Sequence, residues 1–324
     1  MIEIVSTLAL NSVQDLGRFG ARHYGVSTSG VMDPLALAVA NSLLGNPENA
    51  ACIEVQTFPF RLRFLSDIAF AVTGAECRAS LDDAVLPPWW ATTARAGQVL
   101  ALHPPTVGSR ACVAFAGGVD VPVILGSRST HLRSGFGGLE GRSLRTGDVV
   151  RILPSEVRPV AGVGAVPPEI VVPPCPSAPG DKALPLRVLR AGEYDIFPSA
   201  MQERFWQTAW KISHQSDRGG YRLSGPPLKL PAPVEMRSYG LVAGIVQVPP
   251  AGEPIIQLSD ANTAGGYPKM AAVIEADIWR LAQARLGSTI RFVEVAYDDA
   301  VRAMEPIAAY LDSVRRSADL YRTL

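Results

Sequence analysis

The chain has 324 residues, 48% of them apolar, with 30 basic and 30 acidic residues that cancel. That length suits one large or two ordinary domains with a substantial core. The charge balance gives no global electrostatic basis for binding nucleic acid or an anionic membrane.

The 29 glycines and 27 prolines favour a turn-rich, β-rich or mixed fold over a helical bundle. Cys52, Cys77, Cys112 and Cys175 form no C-x-x-C motif, and three lie in apolar, strand-like runs, which predicts buried thiols. The opening MIEIVSTLAL lacks the basic and long apolar regions of a signal peptide. No stretch reaches the apolar length of a membrane span, so the expected location is the cytoplasm.

IEIVST (2–7) reads as a first strand. Glycines then break residues 17–30 into short turns. Asp33-Pro34 combines an N-cap with a proline at the first helical position, Leu35, Val39, Leu43 and Leu44 mark one apolar face, and Gly45 closes the helix. ACIEVQTF, FRLRFLS, IAFAVTG, CRASLD, QVLALHP, RACVAFAG and VVRILP follow as short strand-like runs, which suggests a barrel or sandwich more than a βαβ fold. Residues 154–185 are proline-dense and read as an extended linker. The expected organisation is a β domain over 1–153, this linker, and a second β domain over 186–324.

The second half opens with a strand, LRVLRAG (186–192), and continues with a short helix at 198–207 and strands at 239–248, 254–258 and 289–295. Apolar residues at 301, 304, 307, 308, 311 and 314 have helical spacing, which predicts a terminal amphipathic helix packed on the second domain. The two halves echo one another: QDLGRFGARHYGVSTSG against SDRGGYRLSG, and LRTGDVVRIL against ARLGSTIRFV.

The chain is organised around residues 254–287. An apolar strand (254–258) leads into a small-residue loop with Asp260, Asn262, Thr263, Gly265, Gly266, Tyr267 and Pro268, followed by a β-branched run and a helical turn ending at Gly287. Glycine at 265 and 266 permits φ > 0 and close approach of backbone N–H groups to a ligand. A plain tight turn explains the same residues.

There is no G-x-S-x-G elbow around Ser29, no metal-ligand spacing among His23, His103, His131 and His214, and no GxxxxGK[ST] phosphate loop. What remains are Gly/Ser loops carrying arginine. In 125–142, Arg128, Arg133 and Arg142 are interleaved with glycine and serine, a setting suited to a carboxylate or to ordinary surface charge. Asp217, Arg218 and Arg222 make a similar patch, which an ion pair would also explain.

Taken together, SVQDLGRFGARHYGVSTSGVMDPLALAVANSLLGN, AFAGGVDVPVILGSRST, GGLEGRSLRTGD, SDRGGYRLSG and SYGLVAGIVQVPPAGEPIIQLSDANTAGGYPKMAAV resemble the allophanate-hydrolase-subunit-2 family. That family includes the C-type subunit of 5-oxoprolinase, an antagonist of a sporulation-kinase inhibitor, and part of the carboxyltransferase region of urea carboxylase. The resemblance runs from about residue 2 to 295 and implies a mainly β chain with a few helices, folded as two cyclophilin-like β-barrel domains. It also implies an amide or lactam hydrolase subunit, inactive alone. Such a subunit would work with a subunit-1-type partner (the B-type 5-oxoprolinase subunit) and a lactam-utilisation-type third subunit to convert 5-oxo-L-proline to L-glutamate at the expense of ATP.

The alternatives are the carboxyltransferase half of a biotin-dependent urea or amide carboxylase, and a regulatory protein that binds a kinase inhibitor. No Ala-Met-Lys-Met biotin-attachment motif is present, so any biotin would come from another chain, and the missing phosphate loop leaves open which subunit binds ATP, a site on or shared with a partner being one option. An activated amide is a charged planar intermediate, which glycine-loop N–H groups and arginine forks are suited to hold. The expected catalytic residues are Asp260, Thr263 and Arg128. The expected substrate contacts are Ser29, Asp33, Ser129, Arg218, Arg222, Gln247, Gly265, Gly266 and Tyr267, with Lys269 of less importance.

Overall fold

The computed structural model describes residues 1–155, 157, 162–175, 180–232 and 234–323. Contacts divide the chain into two units, one of Met1–Phe19, Ser29–Val172 and Ala308–Leu324, the other of Gly20–Thr28 and Pro173–Ile307. Both are mainly β with a few helices.

The first unit holds two six-stranded sheets. One runs in the order Val149–Val150, Ile2–Ser6, Phe60–Phe64, Val99–Leu102, Ser80–Leu81, Ala84–Val85. The other runs Val163–Gly164, Trp90–Ala94, Ile68–Glu76, Val107–Phe115, Cys52–Val55, Ser12–Gln14. Strand periodicity sets the inner face: Phe60, Leu62 and Phe64 are buried while Arg61 and Arg63 turn outward. Phe64 meets Phe70 at 4.9 Å and Phe115 at 6.4 Å, so aromatic contacts join the two sheets over one core.

Ile68–Glu76 is buried on both faces as far as Ala75. The helix Pro34–Leu44 packs on its outer face, where the Thr73 hydroxyl donates to the Ala36 carbonyl at 2.8 Å. The strand is therefore a continuous apolar run with no alternation. The helix has the expected ends, with Asp33 Oδ1 accepting the Ala36 N–H at 2.9 Å and Gly45 in the left-handed region.

Two expectations are corrected here. Helical periodicity assigns the terminal helix to the second half, but Glu305–Thr323 belongs to the first unit from Ala308 onward. The Tyr310 hydroxyl donates to the Val166 carbonyl at 2.7 Å, and the Arg322 guanidinium donates to the Ser42 and Leu43 carbonyls at 2.6 and 3.2 Å. Those carbonyls lie in the last turn of Pro34–Leu44, where a helix has no intrahelical donors left.

The proline-dense stretch is likewise not all linker. Residues 156, 158–161 and 176–179 of it lie outside the described residues. In the remainder, Val163–Gly164 pairs with Trp90–Ala91, Pro168–Val171 forms a helical turn, and residues 184 and 185 already belong to the strand Leu184–Arg190.

The second unit is built on a closed barrel of seven strands: Leu184–Arg190, Lys269–Val273, Ile245–Gln247, Ile255–Gln257, Gly220–Ser224, Trp210–Ile212 and Thr289–Glu294. All pairings are antiparallel except the closing one, where Leu184–Arg190 runs parallel to Thr289–Glu294. Closure leaves the barrel no free edge. Leu186, Val188, Trp210, Tyr221, Val246 and Ile290 are fully buried in it, and the helix Ser199–Gln207 stacks Phe205 on Phe292 at 4.5 Å.

The 239–248 run reads as one strand but forms two, Tyr239–Gly240 and Ile245–Gln247, broken at Gly244 with φ +90°. A Cβ there would stand 2.9 Å from the Val273 carbonyl oxygen, so glycine is required on two counts. The first piece leaves the barrel and pairs with Ala264–Gly265 as a two-stranded sheet. The helical turn Ile278–Gln283 stops before Gly287, whose N–H instead bonds the Ile212 carbonyl at 2.8 Å and turns the chain into the last barrel strand. All four cysteines are buried and none forms a disulfide among the described residues. No helix among the described residues is long and apolar enough to cross a membrane.

Candidate functional site

Each unit carries one polar loop cluster. In the first unit the cluster centres on Asp15, a residue the sequence gives no reason to single out from its glycine-rich turns. Its Oδ1 accepts the Gly17 N–H at 2.8 Å, the Ser127 hydroxyl at 2.6 Å and the Ser129 hydroxyl at 2.5 Å, and its Oδ2 accepts the Arg128 N–H at 2.6 Å. One carboxylate thus fixes the whole Ser127–Ser129 turn. The Arg18 guanidinium is fully buried, donates to the Ile124 carbonyl at 3.1 Å and to the Ser129 carbonyl, and lies over the Phe136 ring.

Three residues expected to contact substrate, Ser129, Asp33 and Ser29, and one expected to be catalytic, Arg128, are re-read on this geometry. Ser129 is consumed inside the Asp15 network and is fully buried. Asp33 is a helix cap, so its carboxylate is committed to a backbone N–H. Ser29 has φ +52° and is 4% exposed, and its hydroxyl has no hydrogen-bond partner among the described residues. Arg128 is half-buried, with its Nε also buried and lacking a partner there. Ser29 and Arg128 thus each hold a buried polar atom without a partner among the described residues, whereas Ser129 and Asp33 are engaged in hydrogen bonds.

Arg142, in the same arginine-bearing loop, grips Asp148 with both ends of its fork, at 2.8 and 2.9 Å. Burial alone would raise the Asp148 pKa, but hydrogen bonds from Arg142 and the Arg145 N–H, with their charges, bring it below the ordinary carboxylate value. A depressed folded-state pKa stabilises above the unfolded pKa, and that contribution is lost as pH falls through the folded value. Asp148→Asn is therefore expected to melt below the parent near neutral pH, with the gap closing as pH falls below the ordinary carboxylate range. A gap that persists in acid would mean that packing, and not the ion pair, is responsible.

In the second unit the cluster forms where the strands Ile245–Gln247, Ile255–Gln257 and Lys269–Val273 meet the 258–268 loop. Arg218 Nε donates to Asp260 Oδ2 at 2.9 Å, the two side chains being 5% and 10% exposed, and the Asp260 N–H returns to the Arg218 carbonyl at 2.9 Å. Asp260 is thus held in a buried ion pair, and its role is to fix the loop. Gln257 Nε2 donates to Gln247 Oε1 at 3.0 Å, and Gln247 Nε2 donates to the Tyr267 carbonyl at 3.2 Å. Arg222 is not part of this cluster: it lies on the exposed side of its strand opposite Ile255, between buried Tyr221 and Leu223.

Neither Gly265 nor Gly266 lies in the left-handed region, so close approach and not positive φ is what favours glycine here. A Cβ on Gly265 would meet Gln247 Nε2 and Leu241 Cδ1, both at 2.8 Å, and one on Gly266 the Met236 carbonyl oxygen at 2.9 Å. Thr263 is half-buried, its carbonyl accepting the Leu241 N–H at 2.9 Å, and Tyr267 is exposed.

Lys269 reverses its expected minor role. It is 2% exposed, its Nζ donates to the Gly265 and Tyr267 carbonyls at 3.2 and 3.4 Å, and the ammonium lies 3.2 Å from the Tyr239 ring centre. Burial lowers its pKa, while the Glu193 charge works the other way. Glu193 also accepts the Lys269 N–H at 3.0 Å and the Tyr239 hydroxyl at 2.6 and 2.7 Å, and burial together with that carboxylate pushes the Tyr239 phenol up to about 12. The one signal in the sequence is a lysine opening the apolar run KMAAV, where a charge needs dedicated partners.

Comparison with known proteins agrees with this architecture. The family model for the carboxyltransferase domain, subdomain A and B, matches residues 24–294. The chain is 41% identical to the 5-oxoprolinase C subunit of Haemophilus influenzae, over 98% of this chain and 99% of that protein. It is 40% identical to the 5-oxoprolinase C subunit of Escherichia coli, over 97% of each. The solved K. lactis urea amidolyase superposes with a TM-score of 0.87 at 30% identity, covering 97% of this chain and 20% of that one. The chain therefore belongs to the carboxyltransferase domain family and, within it, to the family of 5-oxoprolinase C subunits.

Proposed function

We propose that this chain works as the C-type subunit of an ATP-dependent 5-oxoprolinase, opening 5-oxo-L-proline to L-glutamate together with a subunit-1-type (B-type) partner and a third, lactam-utilisation-type subunit. The observation that carries the reading is extent: the chain is coextensive with two 5-oxoprolinase C subunits at 40% and 41% identity, whereas it spans a fifth of the urea amidolyase it superposes on. We further read each unit as a cyclophilin-like β domain, and the setting as cytoplasmic.

Within the second unit, Thr263, the Gly265–Gly266 backbone and the Tyr267 wall face the lactam, and Asp260, Arg218 and Gln247 hold them in place. A loop fixed from behind by buried pairs is pre-organised, as electrostatic stabilisation of a charged intermediate requires. In the first unit, Arg128 and Ser29 offer polar atoms suited to a carboxylate.

Two features support placing ATP on, or sharing it with, a partner subunit. The chain has no GxxxxGK[ST] loop, and the N-terminus of the helix Pro34–Leu44 is occupied by the Asp33 carboxylate, which repels phosphate. We assign the nucleotide to a partner. The superposition on urea amidolyase supports a second reading, the carboxyltransferase half of a biotin-dependent urea carboxylase, with biotin supplied by another chain.

Co-expression with the two partner subunits is expected to give one complex by size exclusion and ATP-dependent glutamate from 5-oxoproline. Subunits that migrate separately at micromolar concentration, or carboxylation of urea without lactam opening, would overturn the reading. In that complex Thr263→Val keeps the shape and removes one hydroxyl. It is expected to cost about 1–3 kcal/mol of transition-state stabilisation with little change in melting temperature. Intact activity would make the loop scaffold.

A further inference from the structure

The sheet formed by Tyr239–Gly240 and Ala264–Gly265 is the one part of the 258–268 loop region paired outside the barrel ladder. Its two strands need an attachment to the barrel other than strand pairing. Three side chains supply it, all from barrel strands or the turn beside them: Gln247, Glu193 and Lys269. Lys269 is the only one of the three whose side chain engages both strands of the small sheet. It bonds the Gly265 carbonyl in one and faces the Tyr239 ring in the other. It also takes the Tyr267 carbonyl, which Gln247 shares.

We propose that Lys269 is the positioning residue of the candidate site, its buried ammonium drawing the Gly265 and Tyr267 carbonyls inward and clamping the two-stranded sheet to the barrel. This rests on the reading of that loop as the substrate site. The reasoning is one of polarity. In a loop the peptide units can rotate, and the face that carries the carbonyls decides which face is left for a ligand. An ammonium has three donors and no acceptor, so it orders carbonyls around itself. Desolvation strengthens the attraction, and it is why burial works against the charged amine at this position. Glu193 completes the clamp by holding the Tyr239 hydroxyl and the Lys269 backbone N–H at once, so the ring and the lysine's strand position are registered by the same carboxylate. Without the ammonium, the Gly265 carbonyl would lose this donor and the Tyr267 carbonyl would keep only Gln247 Nε2, and the loop would sample other orientations.

The test uses the assembled three-subunit complex with 5-oxoproline as substrate. Lys269→Met keeps the length of the side chain and removes the charge and the donors. Hydrogen exchange is expected to accelerate at the Leu241 amide, which bonds the Thr263 carbonyl across the small sheet. The Val273 amide, bonded to Gly244 in the barrel, should be unaffected. Because only the fraction of molecules with the loop in place binds substrate, KM is expected to rise about tenfold with kcat within about twofold.

Unchanged exchange at Leu241 would overturn the proposal. So would faster exchange with an unchanged KM, since the loop would be loosened without consequence for substrate. Thr263→Val tells the two failures apart: if it lowers kcat/KM, the site stands and only the clamp falls, and if it is inert, the site reading falls as well. Should Lys269→Met fail to fold, Tyr239→Leu removes the ring from an exposed position and is expected to give the same two effects in smaller measure. Its failure to move either would equally count against the clamp.

Discussion

Asp15→Ala is expected to destabilise the first unit by about 4–5 kcal/mol, a large share of the roughly 5–15 kcal/mol that holds an ordinary domain together. The carboxylate is 2% exposed and is the common acceptor for the Gly17 and Arg128 N–H groups and the Ser127 and Ser129 hydroxyls. Alanine leaves four donors facing an empty space. A buried donor left without a partner costs about 1–3 kcal/mol. Donors that share one acceptor do not add, so the expected loss stays near the low end of four times that figure.

Asp15→Asn, which keeps the shape but converts one acceptor into a donor, should fall between the two. Urea denaturation of the three proteins checks the order. An alanine variant whose midpoint matches the parent would show that water replaces the carboxylate and that the cluster is not a structural hub.

The second large effect is Asp260→Ala. Removing one partner of a buried pair costs about 3–5 kcal/mol, and Arg218, 5% exposed, is buried more deeply than Asp260 at 10%. Melting temperature should fall sharply, and turnover should be lost with it. Asp260→Asn separates structure from chemistry: it can still accept the Arg218 Nε–H at 2.9 Å, so it should retain part of the stability and part of the turnover. If Asp260→Asn were fully stable but inactive, the carboxylate would be a reacting group and not a brace.

Local signals in the sequence survive in the structure where their cause is local. Asp33-Pro34 and Gly45 do bound a helix, because caps are satisfied within one turn. The strand-like runs from ACIEVQTF to RACVAFAG become strands because alternation or continuous burial is written into each segment. What is not legible depends on partners far along the chain. Asp15 is one acid among glycines until Ser127–Ser129 arrive 112 to 114 residues later. The apolar face of Glu305–Thr323 states that something must cover it, but not that Tyr310 will find Val166. Gly266 is set by the Met236 carbonyl oxygen, which a Cβ would crowd, and Gly265 by the Leu241 and Gln247 side chains, which can give way; φ sets neither. Lys269 looks minor in the sequence because the burial of a lysine is decided by a carboxylate and a phenol from other segments.

Arg322 donates to the Ser42 and Leu43 carbonyls across a sequence separation of about 280 residues. At roughly 5–20 residues per second, the ribosome delivers that guanidinium about 15–60 seconds after the helix it finishes. During that interval the end of Pro34–Leu44 has only its local Gly45 and Asn46 N–H donors and water. The first unit to be made is thus among the last to be completed. A chain stalled before Ala308 would carry its defect near the start, in the segment that left the ribosome earliest and has been exposed to proteases and chaperones the longest.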